Sequence, residues 1–428
     1  MCGKVFFMKV LVIGGGGREH AVCQALLKSE RVTQLLCAPG NGGIERIARC
    51  FPDVKATDVD GIVRLAKAQS VDFVVVTPDD PLALGCVDRL EAEGIRAFGP
   101  SQAAARMESS KIFSKDLMKK YGIPTARCEV FDDCDRALAY LDTQKAPIVV
   151  KADGLALGKG VVVAATIDEA KDAVRDMMQG HKFGESGARV LIEACMFGRE
   201  VTVLCFCDGK TIRPMPASQD HKRALDGDLG LNTGGMGAFA PSPLYTPAIA
   251  QRVDREILQP TLSAMNAEGL TFKGILYVGL MLTESGPKVV EYNARFGDPE
   301  TQALLPLLDA DLMAIFEAIE AGALKDAQIR WKNESAACIV LASGGYPGKY
   351  ESGKEITGIE DAEQMGATVY HAGTREAGGR FYTAGGRVLG VTAVGQTLRE
   401  AVAKAYAAAD KIDFEKKHMR RDIGSRDA

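Results

Sequence analysis

Four consecutive glycines, Gly14 to Gly17, stand directly behind an apolar run, Lys9-Val-Leu-Val-Ile13, and directly before a helical stretch that begins at Arg18. A buried strand that feeds a helix through so tight a turn belongs in a parallel sheet with helices on its faces. A second strand over Gln34–Ala38 and a third over Asp72–Thr77 continue the pattern. Residues 1–112 are therefore expected to form a doubly wound α/β domain. The turn is not a dinucleotide fingerprint: GxGxxG from Gly14 needs glycine at position 19, where Glu19 stands, and the second strand ends in Ala38-Pro-Gly-Asn41 with no acid for ribose hydroxyls. What survives is a set of backbone amides at a helix N-terminus, suited to a single phosphate. That makes Gly15, Gly16 and Gly17 candidates for a monophosphate-bearing substrate. A purely structural turn is the alternative.

From about Ser114 the pattern changes. Pro147-Ile-Val-Val-Lys151 is a strand, Ala152 to Gly160 is glycine-rich, and Val161-Val-Val-Ala164 is again a strand, so the loop joins a hairpin rather than a strand to a helix. The run Asp153-Gly-Leu-Ala-Leu-Gly-Lys-Gly160 is not a P-loop. Three residues rather than four separate Gly154 from Gly158, and Gly160 stands where Ser or Thr would hold magnesium. It reads as a flexible flap whose amides (Gly154, Gly158, Gly160) and Lys159 close over a triphosphate. Lys151, at the end of an apolar strand, aims its ammonium at phosphate oxygens. Further strands are expected near Arg189–Glu193, Glu200–Cys207, Gly274–Leu282 and Lys288–Tyr292, with a helix over Ile167 to about Gln179. From about Glu334 come short strands, Ala337–Leu341 and Gly386–Thr392, and a helix from Leu398. Three intimately packed regions are expected, 1–112, 113–333 and 334–428.

The densest polar cluster is Lys288-Val-Val-Glu-Tyr-Asn-Ala-Arg-Phe-Gly-Asp-Pro-Glu300. On a strand Glu291, Asn293 and Arg295 share one face. The first two offer hard oxygens for Mg2+ or Mn2+; Arg295 pairs with a carboxylate or a transferring phosphoryl group. Between the glycine-rich clusters lie a polar run, Ser218-Gln-Asp-His-Lys-Arg223, and a loop, Asn232-Thr-Gly-Gly-Met-Gly237. They present Asp220, His221 and Lys222 to an anionic ligand and let the backbone at Gly234 and Gly235 approach it. His221 is expected as a binder rather than a base.

Composition narrows the classes. A net charge of −4 gives no field for a polyanion, so nucleic acid is not an expected partner. Eleven cysteines include no CxxC pair and no zinc spacing, which suits a reducing compartment; Cys205 and Cys207 are expected as packed thiols on one strand face. No apolar run approaches the roughly 20 residues that span a bilayer. The chain reads as cytoplasmic, with residues 1–7 as an extension ahead of Met8.

Taken together, Gly14–His20, Ala38–Asn41, Phe98-Gly-Pro100, Ile148–Gly154, Ser218–Arg223, Asn232–Gly237, Asn293–Glu300 and His371-Ala-Gly-Thr374 resemble the phosphoribosylamine–glycine ligase (glycinamide ribonucleotide synthetase) family of the ATP-grasp superfamily. The resemblance runs from about Met8 to Gly424. It implies an N-terminal α/β domain, an ATP-grasp core with a mobile lid at about 127–193, and a C-terminal mixed α+β domain that completes the active site. It also implies that Glu193 opens the adenine hinge, that Ala194 and Met196 contact the base, and that Glu200 binds ribose. Lys111 joins the nucleotide residues and Asp298 the substrate residues; Glu291 and Asn293 match the metal ligands. Many superfamily members carry another acid on the preceding strand, where this chain reads Gly274-Ile-Leu-Tyr-Val-Gly-Leu280, and Asp80 stands where Glu is expected.

The implied reaction belongs to de novo purine biosynthesis. Glycine is phosphorylated by ATP to glycyl phosphate, which 5-phosphoribosylamine converts to glycinamide ribonucleotide, releasing ADP and phosphate. Arg295 and Lys151 are the expected catalytic residues, in a scaffold expected to be monomeric that needs no nucleophile–base pair. A nicotinamide-dependent dehydrogenase, a non-catalytic nucleotide-binding module and an ATP-grasp ligase of other substrates are the rival readings.

Overall fold

The computed structural model describes residues 7–155, 160–180 and 187–427. Its N-terminal sheet contains β1 (Met8–Gly14), β2 (Val32–Pro39), β3 (Arg49–Cys50), β4 (Phe73–Val76) and β5 (Arg96–Phe98). All pair in parallel, in the order β3-β2-β1-β4-β5. The doubly wound sheet expected from the sequence is thus present. The two edge strands were not foreseen, because two or three residues carry no readable periodicity. Strand order reverses between β1 and β4, so the turn into helix α1 (Gly17–Leu26) lies at a topological switch point, where open α/β sheets bind ligands.

Both faces of this sheet are buried, and alternation along β1 sends Leu11 and Ile13 to one core and Val10 and Val12 to the other. Each core continues beyond the sheet. The first includes Val201, Val203 and Cys205, and the second Leu204, Phe206 and Ile275.

A second sheet holds β6 (Cys128–Phe131), β7 (Ile148–Ala152), β8 (Val161–Ala164) and β9 (Val190–Ala194), antiparallel throughout in the order β6-β9-β7-β8. The hairpin expected around the glycine-rich loop is the pair β7–β8. Helices Cys134–Leu141 and Ile167–Met178 cover this sheet and give it a separate small core.

The chain continues through β10 (Arg199–Asp208), β11 (Ile212–Pro214), β12 (Gln219–Asp220), the hairpin β13 (Arg223–Leu225) to β14 (Leu229–Asn232), and β15 (Gly237–Ala240). Then come β16 (Lys273–Thr283), β17 (Gly286–Asn293) and β18 (Ser335–Ser343). A four-stranded sheet runs β11-β10-β16-β17. The C-terminal sheet runs β12, β15, β18, then the strands Arg387–Gly395 and Thr368–His371, so it takes two strands from the middle of the chain. The polar run from Ser218 is therefore part of a sheet: Gln219 and Asp220 pair with Phe239 and Ala238. Cys205 and Cys207 are fully buried free thiols on β10, as expected.

Among the described residues no helix is long and apolar enough to cross a membrane.

Candidate active site

A cleft of about 880 Å³ runs between the β6–β9 sheet, the β10–β17 sheet and the C-terminal region. Its floor follows from strand register. Glu200 and Thr202 alternate onto one face of β10; across from Thr202 stands Gly279, and across from Gly279 and Tyr277 stand Glu291 and Asn293. The positions opposite the two expected metal ligands are thus a glycine and a tyrosine, so β16 supplies no carboxylate there. The Tyr277 hydroxyl instead donates to Glu300 at 3.0 Å and lies 3.1 Å from Thr202 Oγ1.

One wall is cationic. Val149 lies opposite Glu193 in the β7–β9 pairing, which makes Lys151 the diagonal neighbour of Glu193 on the same face. Lys151 Nζ sits 3.0 Å from Glu193 Oε2 and donates to the Val290 carbonyl at 3.2 Å. Lys115 Nζ reaches the same carboxylate oxygen at 3.3 Å. Glu193 Oε1 is buried with no hydrogen-bond partner among the described residues. Lys111 Nζ donates to the Gly154 carbonyl at 2.6 Å. Burial holds the Lys111 and Lys115 ammonium groups below their ordinary range. Asp153 fastens this wall, accepting from Arg189 Nη2 at 2.7 Å and from the Ile112 amide at 3.2 Å.

Glu291 faces these cations across the cleft. Burial alone would favour its neutral form, but Lys222, Lys151, Lys111 and Arg295 outweigh it and hold the carboxyl below the usual range. Lys222 Nζ lies 3.2 Å from Glu200 and 3.8 Å from Glu291. Asp220 is pushed up to about 7 by burial and by its carboxylate neighbours Glu300, Glu200 and Glu291, against the pull of Lys222. Glu291 and Asn293 offer two hard oxygens. Among the described residues no group of three or more His, Cys, Asp or Glu side chains is placed to hold a metal. One carboxylate and one amide oxygen fit a hard divalent ion that completes its shell with phosphate oxygens and water.

Asp220, His221 and Lys222 do not act as one run. Alternation sends Asp220 and Lys222 toward the carboxylates, while the His221 ring turns to Phe239, with centroids 6.0 Å apart. Burial lowers His221 to about 4, so it is neutral there, and its Nδ1 is buried without a partner among the described residues.

The glycine turn departs from its expected form. The Gly16 amide is already committed, donating to Glu19 Oε2 at 2.7 Å. A Cβ at Gly15 would stand 2.4 Å from the Gly40 carbonyl oxygen, and one at Gly17 would stand 2.7 Å from Gln302 Nε2. Close packing therefore accounts for part of the glycine run. Gly15, Gly16, Gly17 and Gly235 do not line the cleft; Arg18, Gly234 and Asp298 do. Gly235 has φ +113°, and a Cβ there would meet Pro299 Cδ at 2.4 Å.

The cleft also collects Lys151, Lys111, Gly154, Gly160, Glu193, Ala194, Met196, Glu200, Asp220, His221, Lys222, Glu291, Asn293 and Arg295. Gly158 and Lys159 lie outside the described residues. The Ala194 amide donates to the Arg127 carbonyl at 2.9 Å.

Sequence reasoning missed Arg387, Arg18 and Glu108. Arg387 Nη2 lies 2.9 Å from Asp298 Oδ2, and Nη1 donates to the carbonyls of Gly234 and Asp298 at 2.7 and 2.8 Å. Burial opposes ionisation of Asp298, but Arg387 and Arg18 outweigh it and hold the carboxyl low. Arg387 follows the His371–Thr374 motif by thirteen positions or more, and no local pattern marks it.

Solved structures show the same architecture. The biotin carboxylase domain of 2-oxoglutarate carboxylase from Hydrogenobacter thermophilus matches with a TM-score of 0.73 at 17% identity, over 97% of this chain and 92% of that one, a likeness of fold alone. A crystal structure of phosphoribosylamine–glycine ligase from Thermotoga maritima matches with a TM-score of 0.84 at 33% identity, over 97% of this chain and 100% of that one. Fold and cleft define the class, an ATP-grasp protein. Profiles described as the phosphoribosylglycinamide synthetase N domain, ATP-grasp (A) domain and C domain match residues 8–108, 109–301 and 336–426. The chain belongs to the phosphoribosylglycinamide synthetase family. Curated relatives named phosphoribosylamine–glycine ligase include those of Nostoc sp. (strain PCC 7120 / SAG 25.82 / UTEX 2576), 49% identical over 98% of this chain and 99% of the relative, and Caldanaerobacter subterraneus subsp. tengcongensis, 44% identical over 98% and 100%.

Proposed function

We propose that this chain joins glycine to 5-phosphoribosylamine at the expense of ATP, giving glycinamide ribonucleotide, ADP and phosphate in purine biosynthesis. Family membership supports the reaction. The observation that carries the residue assignments is the meeting, in one cleft, of a lysine wall, the Glu291–Asn293 face and Arg295. Lys111, Lys151, Gly154, Gly158, Lys159 and Gly160 take the triphosphate. Glu193, Ala194 and Met196 take the base, and Glu200 the ribose. Glu291 and Asn293 hold Mg2+ or Mn2+, which when bound neutralises the phosphate oxygens at which charge develops. Arg295 receives the glycine carboxylate, and Lys151 steadies the transferring phosphoryl group. Glycyl phosphate then forms, and the amine displaces phosphate. Gly15–Gly17, Asp220, His221, Lys222, Gly234, Gly235 and Asp298 serve the phosphoribosylamine end; the switch-point position of the glycine turn supports this. Positioning and charge neutralisation carry such a transfer.

The domain limits we propose are 112/113 and 333/334, with the lid at about 127–193. We further propose a monomer in a reducing, cytoplasmic compartment, in keeping with the ten free thiols of the described residues.

The test generates phosphoribosylamine in the assay from ribose 5-phosphate and ammonia. ADP and phosphate should appear one for one with glycinamide ribonucleotide, and only with both substrates present. AMP and pyrophosphate would overturn the acyl-phosphate route. Full ADP release with another amine, and none with this one, would overturn the substrate assignment.

A further inference from the structure

Glu108 lies in the last turn of the helix Gln102–Ser109 and is buried. Both of its oxygens are spent on the segment that carries Arg295. Oε1 stands 2.9 Å from Arg295 Nη2, and Oε2 accepts the Ala294 amide at 2.8 Å. The far side of the guanidinium is fixed as well, since Nη1 donates to the Phe296 carbonyl at 3.1 Å. Arg18 Nη1 donates to that same carbonyl, also at 3.1 Å, so two guanidinium groups converge on one oxygen. Such crowding of like charge needs buried carboxylates close by. Glu19 answers Arg18 at 2.6 Å, and Glu108 answers Arg295. The Tyr277 ring, its centroid 5.9 Å from Arg295 Cζ, flanks the group. Of the Arg295 donors, Nε is buried and has no partner among the described residues. A planar fork anchored at both Nη atoms presents its remaining edge in one direction only.

We infer that Glu108 is a positioning residue for the ligation: it fixes the Arg295 guanidinium so that the unpartnered Nε–H is held for the substrate carboxylate. This rests on the assignment of Arg295 made above. Glu108 touches no substrate itself and acts through Arg295.

The test compares E108Q, E108D, R295K and the double variant E108Q/R295K in the full-length enzyme. Glutamine keeps an acceptor for the Ala294 amide and removes the charge facing Arg295. E108Q should lower kcat/KM for glycine by on the order of tenfold to a hundredfold, the weight of one charge-assisted hydrogen bond. The KM for ATP should stay within about twofold. E108D, with its carboxylate withdrawn by one methylene, should fall between E108Q and wild type, and it carries the test if E108Q does not fold. In the R295K background E108Q should add no further loss, because two residues that act as a unit are not additive. Losses that multiply in the double variant would overturn the inference. So would a lower melting temperature with unchanged glycine kinetics in E108Q or E108D. If R295K alone leaves glycine kinetics at wild-type values, the assignment of Arg295 fails instead, and the two failures are told apart.

Discussion

Glu291 is the carboxylate on which four cationic side chains converge, Lys222, Lys151, Lys111 and Arg295, and its ionised form is the one they favour. Glu291→Ala should therefore abolish turnover at saturating magnesium while leaving the thermal unfolding transition cooperative. Activity near wild type in that variant would remove the metal assignment. A different residue reports on the join between the N- and C-terminal regions. His20 Nδ1 accepts the His371 amide at 2.8 Å, and Asn41 Nδ2 donates to the carbonyls of Gly15 and His371 at 2.9 and 2.8 Å. Burial lowers His20 to about 4. The unfolded chain titrates near 6.5, so below that pH it binds a proton that the folded chain refuses, and folded-state stability falls as pH drops toward 4. Between pH 7 and pH 5 the loss from His20 is about 2 kcal/mol. In His20→Asn the amide oxygen still accepts from His371 but does not titrate. The wild type should thus lose about 2 kcal/mol relative to this variant over that interval, measured by urea unfolding. A pH-independent difference would count against a neutral buried His20.

At the scale of elements, the hairpin β7–β8 borders the cleft through Val149, Lys151, Gly160 and Val161. An unhydrolysable ATP analogue should slow hydrogen exchange at Ala152–Gly154 and Gly160–Val163, since contacts to phosphate order the ends of a glycine-rich hairpin. Equal exchange with and without nucleotide would speak for a rigid structural hairpin. This hairpin was readable in the sequence, as were β1, β10 and β16, because each is a strongly apolar run with its own boundaries; β17 was marked by Val289-Val290 within an alternating polar pattern. Of the cleft residues, Glu291 and Asn293 follow from alternation along β17, whereas Arg295, expected on the same strand face, lies two residues beyond the strand's end. β12 was not readable, because Gln219 and Asp220 are polar and become a strand only through a partner, Phe239 and Ala238, that the local sequence does not announce. Glu108 escaped notice likewise; the amide it accepts is 186 positions away, and nothing on its own helix marks it. The Gly14–Gly17 turn was placed rightly at the end of β1, but the sequence could not tell that Glu19 would fold back onto the Gly16 amide.

For the whole molecule the decisive feature is the C-terminal sheet. β15 pairs with β18 along Gly237–Ala240 and Ala336–Ile339, and β12 hangs on β15. A chain ended at residue 333 would leave β15 with an unpaired edge and the fully buried Phe239 without its cover of Ala337 and Ile339. Such a truncation should be recovered insoluble, or without a cooperative unfolding transition; a soluble, cooperatively unfolding fragment would show that the middle region folds by itself. The same pairing bears on how the protein is made. On the ribosome Gly237 leaves the exit tunnel roughly a hundred residues before its partner Ile339. At about 5–20 residues per second, the strand that carries one end of the cleft must wait on the order of 5 to 20 seconds for its neighbour. Throughout that interval an apolar edge stands bare in the nascent chain, and the newborn enzyme depends on whatever shields it until its last ninety-odd residues arrive.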